Sequence, residues 1–131
     1  MLQKVPAKKN KIVKGYAAFT DGDWDTVQEL LSDDIVWHPM RGHDESSEPE
    51  PIVGKEKVIA HLQTLRNTND VELIGTTIHG PFAIAVDYTH STDAIGDHGC
   101  ADLIRFDDSG CIAEFWHCHS GTHDEHHPDA S

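Results

Sequence analysis

Basic side chains are scarce. Ten lysines and arginines stand against 23 acids, for a formal net charge of −13, and five of those ten are lysines within residues 1–14. The rest of the chain carries every acid and repels phosphate backbones, so nucleic acid is not an expected partner. Cysteine is sparse and odd in number, with Cys100, Cys111 and Cys118 alone. The start, MLQKVPAKKNKIVK, has charge but no apolar segment of the kind a secretory leader needs, so reduced thiols and a cytoplasmic location are expected rather than a disulfide framework. No apolar run approaches transmembrane length, and no membrane partner is expected. Internal repeats are absent too. With 131 residues the chain reads as one domain, 1–131, able to bury roughly two thirds of its unfolded surface around one core. A basic arm, 1–9, and a His-rich tail, 120–131, lie outside that core.

What is present is periodic. Ile12, Tyr16 and Phe19 recur at helical spacing over about 10–20, before Gly22. Asp23 is placed to cap a second helix carrying Trp24, Val27, Leu30 and Leu31. A short strand over 35–38 ends at Pro39. Residues 39–53, with three prolines and four acids, show no period and read as a loop or flap. Helical spacing returns over 54–67, and four strands follow, at about 71–79, 82–92, 97–107 and 111–120. Three helices before a run of antiparallel strands predict a segregated α+β fold with the helices on one face of a curved sheet.

The stretch ADLIRFDDSGCIAEFWHCH, 101–119, reads as two strands joined by the turn Asp107-Asp108-Ser109-Gly110. Closing that loop with Phe106 opposite Cys111 places Ile104 opposite Ala113, Asp102 opposite Phe115, Cys100 opposite His117 and His98 opposite His119. The strand before it alternates, and if its large residues share that face, three strands supply four rungs. These are His90, His98 and His119; Tyr88, Cys100 and His117; Val86, Asp102 and Phe115; and Ile84, Ile104 and Ala113. Such a gradient from polar to apolar predicts a cup with a wet rim and a dry floor, suited to a small apolar ligand.

In order and spacing, FTDGDWD, DDIVWHP, the helix start VGKEKV and RFDDSGCIAE resemble the NTF2-like superfamily, in particular its SnoaL-like and ketosteroid-isomerase-like branch, over about 10–119. The resemblance implies a cone in which a strongly curved, mostly antiparallel sheet wraps three helices, an apolar pocket within, and a homodimer through the outer sheet face. It puts His38 at the position of the isomerases' catalytic base and Asp102 at that of the acid donating to the enolate oxygen. Gly15 falls where that family has a tyrosine. Tyr16 is one residue off, which turns a helical side chain by about 100°.

The catalytic expectation is therefore proton transfer by His38 and Asp102, with His117 as a second proton carrier, in an isomerase, dehydratase or cyclase acting on a small carbonyl compound without a cofactor. Tyr16, Val86, Tyr88, His90, His98, Cys100, Phe115 and His119 are the expected ligand contacts. Two other readings stand beside it. A non-catalytic ligand-binding or assembly module would use the same cup, and His98, Cys100, His117 and His119 suit a divalent metal chemically, although the chain carries neither a C-x-x-C nor an H-E-x-x-H pattern and no metal is assigned.

Overall fold

A computed structural model describes residues 7–39, 50–92 and 96–119, for Cys118 and His119 the backbone alone. The basic arm up to residue 6, most of the expected flap (40–49) and the tail from residue 120 lie outside the described residues. Helix α1 spans Ala7–Asp21 and α2 Trp24–Leu30; strand β1 runs Leu31–His38 and β2 Ile52–Val53; α3 covers Lys55–Arg66; β3, β4, β5 and β6 are Asn69–His79, Phe82–Ser91, His98–Phe106 and Ile112–His119.

Local chemistry sets the helix ends. Gly22, at φ +73°, closes α1, with its N–H donating to the Phe19 carbonyl and that of Asp23 reaching back to Ala18. Arg66, at the end of α3, donates to the carbonyls of Phe19 and Thr20 and so ties α3 to the same terminus. The Asp23 carboxylate accepts from the Thr26 N–H and caps α2, as its position predicts.

The six strands form one sheet in the order β2-β1-β6-β5-β4-β3. All neighbours are antiparallel except β1 and β6, which run parallel. The helices supply Ile12, Ala18, Val27, Val58 and Leu62 to a core closed on the sheet side by Ile35, Trp37, Ala83, Ala85, Ile104 and Phe115. A bulge at Ile74 interrupts β3 between Leu73 and Gly75, an irregularity that bends a strand. The segregated α+β arrangement is thus as expected. One short element was not: Ile52–Val53, inside the expected flap, pairs with Val36 and Trp37.

The expected register needs two corrections. In β4 the buried residues are Ala83, Ala85, Asp87 and Thr89, while Phe82, Ile84, Val86, Tyr88 and His90 point outward. Beneath α1 the concave side of the curved sheet is crowded, so alanines at 0% exposure fill it and the large side chains go to the convex side. Alternation locates the strand but does not say which face is inside. Between β5 and β6 the pairing slides by two residues, because Cys111 is folded into the turn. The Asp107 carboxylate accepts from the N–H groups of Ser109 and Cys111, Phe106 pairs with Ile112, and a bulge follows. The partners of Ile104, Asp102 and Cys100 become Phe115, His117 and His119.

Candidate active site

A cavity of about 110 Å³ lies between α1 and the concave face of the sheet. Its walls are mostly apolar, with Ile12, Phe19, Leu30, Trp37, Ile104 and Phe115 prominent. Trp37 and Phe115 stack across the parallel β1–β6 pair with centroids 3.9 Å apart. Four polar side chains on the wall form one connected group: Tyr16 from α1, Asp87 from β4, Asp102 from β5 and His117 from β6.

Asp102 is the hub. The Tyr16 hydroxyl donates to its Oδ2, and His117 Nδ1 lies 2.7 Å from its Oδ1. The other His117 nitrogen, Nε2, is 3.8 Å from Cys100 Sγ. Burial works against a charged imidazole, but the hydrogen bonds to Asp102 and Cys100 outweigh it and raise His117 to about 10. Doubly protonated, the ring donates to both partners. Burial, and then the negative Asp102, push Tyr16 well above the ordinary tyrosine value, so its hydroxyl stays protonated and able to donate. Asp87, only 2% exposed, accepts from the Thr89 hydroxyl at 3.1 Å. Burial first, and the neighbouring Asp102 second, raise Asp87 to about 7, against the opposing pull of His117 and Thr89.

Of the expected site residues, Tyr16, Asp102, Phe115 and His117 line this cavity. Tyr16 reaches Asp102 despite its one-residue offset. Cys100 and His98 are buried on the concave face beyond the cavity wall, the latter with Nδ1 2.7 Å from the Gly96 carbonyl. Val86, Tyr88 and His90 are not in the cavity at all, since the parity of β4 puts them on the convex face, where His90 sits 3.3 Å from Asp97. His38 is also on that outer face. Trp37 points inward, so its neighbour points out, stacking on Trp116 and meeting Glu114 Oε2 at 2.7 Å. It cannot serve as base to a ligand in the cavity. The side chain of His119 lies outside the described residues, and among those described no group of three or more His, Cys, Asp and Glu is arranged to hold a metal ion.

Sequence reading missed Asp87, Lys11 and His61. Asp87 carried a signal: it is the one acid among the small residues of Ala83, Ala85 and Thr89, on the face taken to be outside. His61 is half-buried, edge-on to Trp37 at 6.0 Å, and burial together with the nearby positive His117 lowers it. The indole Nε1–H of Trp37 has no acceptor among the described residues, a donor that a ligand oxygen would satisfy.

No functionally curated protein matches the chain. Among solved structures, Bal32a, from a soil-derived mobile gene cassette, superposes with a TM-score of 0.75 at 20% identity, covering 88% of this chain and 91% of that one. A steroid delta-isomerase from Pseudomonas aeruginosa gives 0.71 at 18% identity, over 93% and 86% of the two chains. RV0760c from Mycobacterium tuberculosis, solved in complex with estradiol-17beta-hemisuccinate, gives 0.70 at 17%, over 86% and 93%. At such identities the likeness is one of fold. Family membership rests on the sequence itself, which matches the SnoaL-like domain family over residues 12–115, from α1 into β6 and through Tyr16, Asp87 and Asp102. The chain belongs to the SnoaL-like domain family.

Proposed function

We propose that the protein catalyses proton transfer on a small apolar carbonyl compound, as an isomerase, dehydratase or cyclase, within this cavity. The convergence of Tyr16, Asp87, Asp102 and His117 at one place on an otherwise apolar wall carries the reading. In an apolar surround each of these groups acts more strongly on a developing charge than it would in water. The steroid isomerase and the steroid-bound protein of the same fold support an apolar carbonyl ligand by analogy.

The roles follow from the protonation states. Asp87, raised to about 7, is poised to take a proton from the carbon beside the carbonyl. As that C–H bond breaks, its electrons form the carbon–carbon double bond and the carbonyl π pair moves onto oxygen. Both Asp102 oxygens already accept, from Tyr16 and from His117, so the donor to the enolate oxygen is the Tyr16 hydroxyl, whose single proton turns from Asp102 Oδ2 to the ligand oxygen as negative charge develops there, while His117 goes on holding Asp102. This differs from the expectation that Asp102 itself would donate. The His117 imidazolium offsets the charge of Asp102, so the enolate, formed as Asp87 becomes neutral, has no uncompensated carboxylate beside it. Protonated Asp87 then returns its proton to another carbon, or to a departing hydroxyl.

The test uses 2-tetralone in D2O, following loss of its C1 proton signal by NMR. Exchange above the buffer rate supports the reading. Binding of 2-tetralone without exchange supports instead a non-catalytic ligand-binding module built on the same cavity.

We further propose that a second copy of the chain covers the convex face. Phe82, Ile84, Val86 and Tyr88, each 37–44% exposed, form a continuous apolar row along β4, the kind of surface that monomers seldom leave in water.

A further inference from the structure

One wall residue takes no part in the proton-transfer group. Lys11 is half-buried, and its side chain lines a cavity whose other wall residues are apolar apart from Tyr16, Asp87, Asp102 and His117. Its Nζ donates to the Gly110 carbonyl at 2.5 Å. An ammonium has three donors, and among the described residues Lys11 has neither a second acceptor nor a carboxylate partner. The contact is built on the β5–β6 turn. A Cβ at position 110 would stand 2.7 Å from Nζ, so only glycine, here at φ +88°, admits the ammonium so close to the backbone. In a chain of net charge −13 this lysine lines a cavity with its side chain and sets its ammonium on a backbone carbonyl, not on one of the plentiful surface acids.

Its place relative to the reacting groups is set by the elements. Lys11 precedes Tyr16 by five residues on α1, about 7.5 Å along the axis, and lies toward the turn. On the sheet, the Asp102–His117 pair lies four residues along β5 from Phe106–Ile112 beside that turn, roughly 13 Å of strand. A ligand touching Tyr16 with one end and Lys11 with the other therefore spans roughly 10 Å, the length of a two-ring frame.

We propose that Lys11 is an anion anchor, and that the ligand of this cavity is an apolar carbonyl compound carrying a carboxylate at the end remote from the reacting carbonyl. The proposal rests on the proton-transfer reading above and adds to it a polarity and a length. A monoanion fits better than a dianion, since one ammonium faces it and Asp87 and Asp102 repel further negative charge. Lys11 thus sets orientation: the carboxylate end is drawn to α1 and the turn, while the neutral carbonyl end is left to Tyr16.

The experiment measures affinity for two rigid probes by fluorescence titration of the full chain. One is 6-hydroxy-2-naphthoate, with a hydroxyl and a carboxylate at opposite ends; the other is 2-naphthol, which lacks the carboxylate. The wild-type protein is expected to prefer the carboxylate probe about tenfold, the size of one charge-assisted hydrogen bond at a half-buried site. Lys11→Met keeps the length of the side chain and should abolish the preference for the carboxylate probe; Lys11→Arg should keep it. Equal affinity of the wild type for both probes, or a preference that survives Lys11→Met, would overturn the anchor and leave the proton-transfer site standing. The wild-type comparison needs no variant to fold. Failure of both probes to bind would remove the site itself and the anchor with it.

Discussion

His117 and Asp102 face one another directly across β5 and β6, with Nδ1 2.7 Å from Oδ1, and Asp102 turns its other oxygen to the hydroxyl of Tyr16. A hydrogen bond to each carboxylate oxygen makes Asp102 the organiser of the site. Removing its charge should be felt first at His117. In Asp102→Asn the imidazole should titrate below about 10, because burial is then opposed by the Cys100 contact alone. An NMR pH titration of the His117 ring protons checks this; an unchanged titration would mean that Asp102 does not hold the proton there.

Stability should fall as pH rises from about 4 to about 10. Folded Asp87, at about 7, and folded His117, at about 10, both bind their protons more tightly than their ordinary values of 3.8 and 6.5 allow. The contribution of each is therefore complete below its ordinary value and lost as pH climbs through the folded one. Asp87 accounts for the acid half of that window and His117 for the alkaline half. Thermal melts of wild type and Asp87→Asn should converge in acid and diverge above neutrality, with the variant the more stable by roughly 1–3 kcal/mol at pH 8. The same substitution should lower activity, so a fall in stability at pH 8 would contradict the assignment.

Tyr16→Phe removes the donor to the enolate oxygen. The exchange rate should drop by about 100-fold or more, with a stability cost of about 1 kcal/mol for the lost hydrogen bond. His38→Ala should leave exchange near the wild-type rate, because its imidazole is engaged with Glu114 and Trp116 on the far side of the sheet. Steady-state rates for the two variants side by side distinguish the cavity group from the base expected from family position.

The two faces of β4 give opposite expectations. Ala85→Val should overpack the concave side and destabilise by about 1–3 kcal/mol. Val86→Lys, one residue along, should leave the fold intact and shift the protein toward monomer in analytical ultracentrifugation, because it breaks the apolar row assigned to a second copy.

That one-residue contrast also shows how far sequence reaches. Helix spacing, the Asp23 cap and the order of elements were legible, because each depends on contacts within a few residues. Asp102, His117, Tyr16 and Phe115 could be named for the site, since β5, β6 and α1 each present a face that their own pattern identifies. Asp87 could not, because the inner face of β4 is decided by crowding under α1, a tertiary constraint that favoured Ala83 and Ala85 over larger neighbours. The Asp102–His117 pairing was hidden for a related reason: Asp107 draws the Cys111 N–H into the turn, and a bulge then shifts every rung beyond it. Lys11 reads as one more surface lysine until Gly110 is seen beneath it.

The pH dependence of activity should show a rise with an apparent pKa near 7 as Asp87 loses its proton, and a fall near 10 as His117 loses its own. A flat profile between pH 6 and 8 would remove Asp87 from the role of base.

The most direct test compares exchange of the C1 protons of 2-tetralone in D2O for wild type and Asp87→Asn at pH 8. If Asp87 carries the proton, the variant should be slower by about 100-fold or more while still binding the ketone. Equal exchange rates in two folded, ligand-binding proteins would contradict the account at its centre.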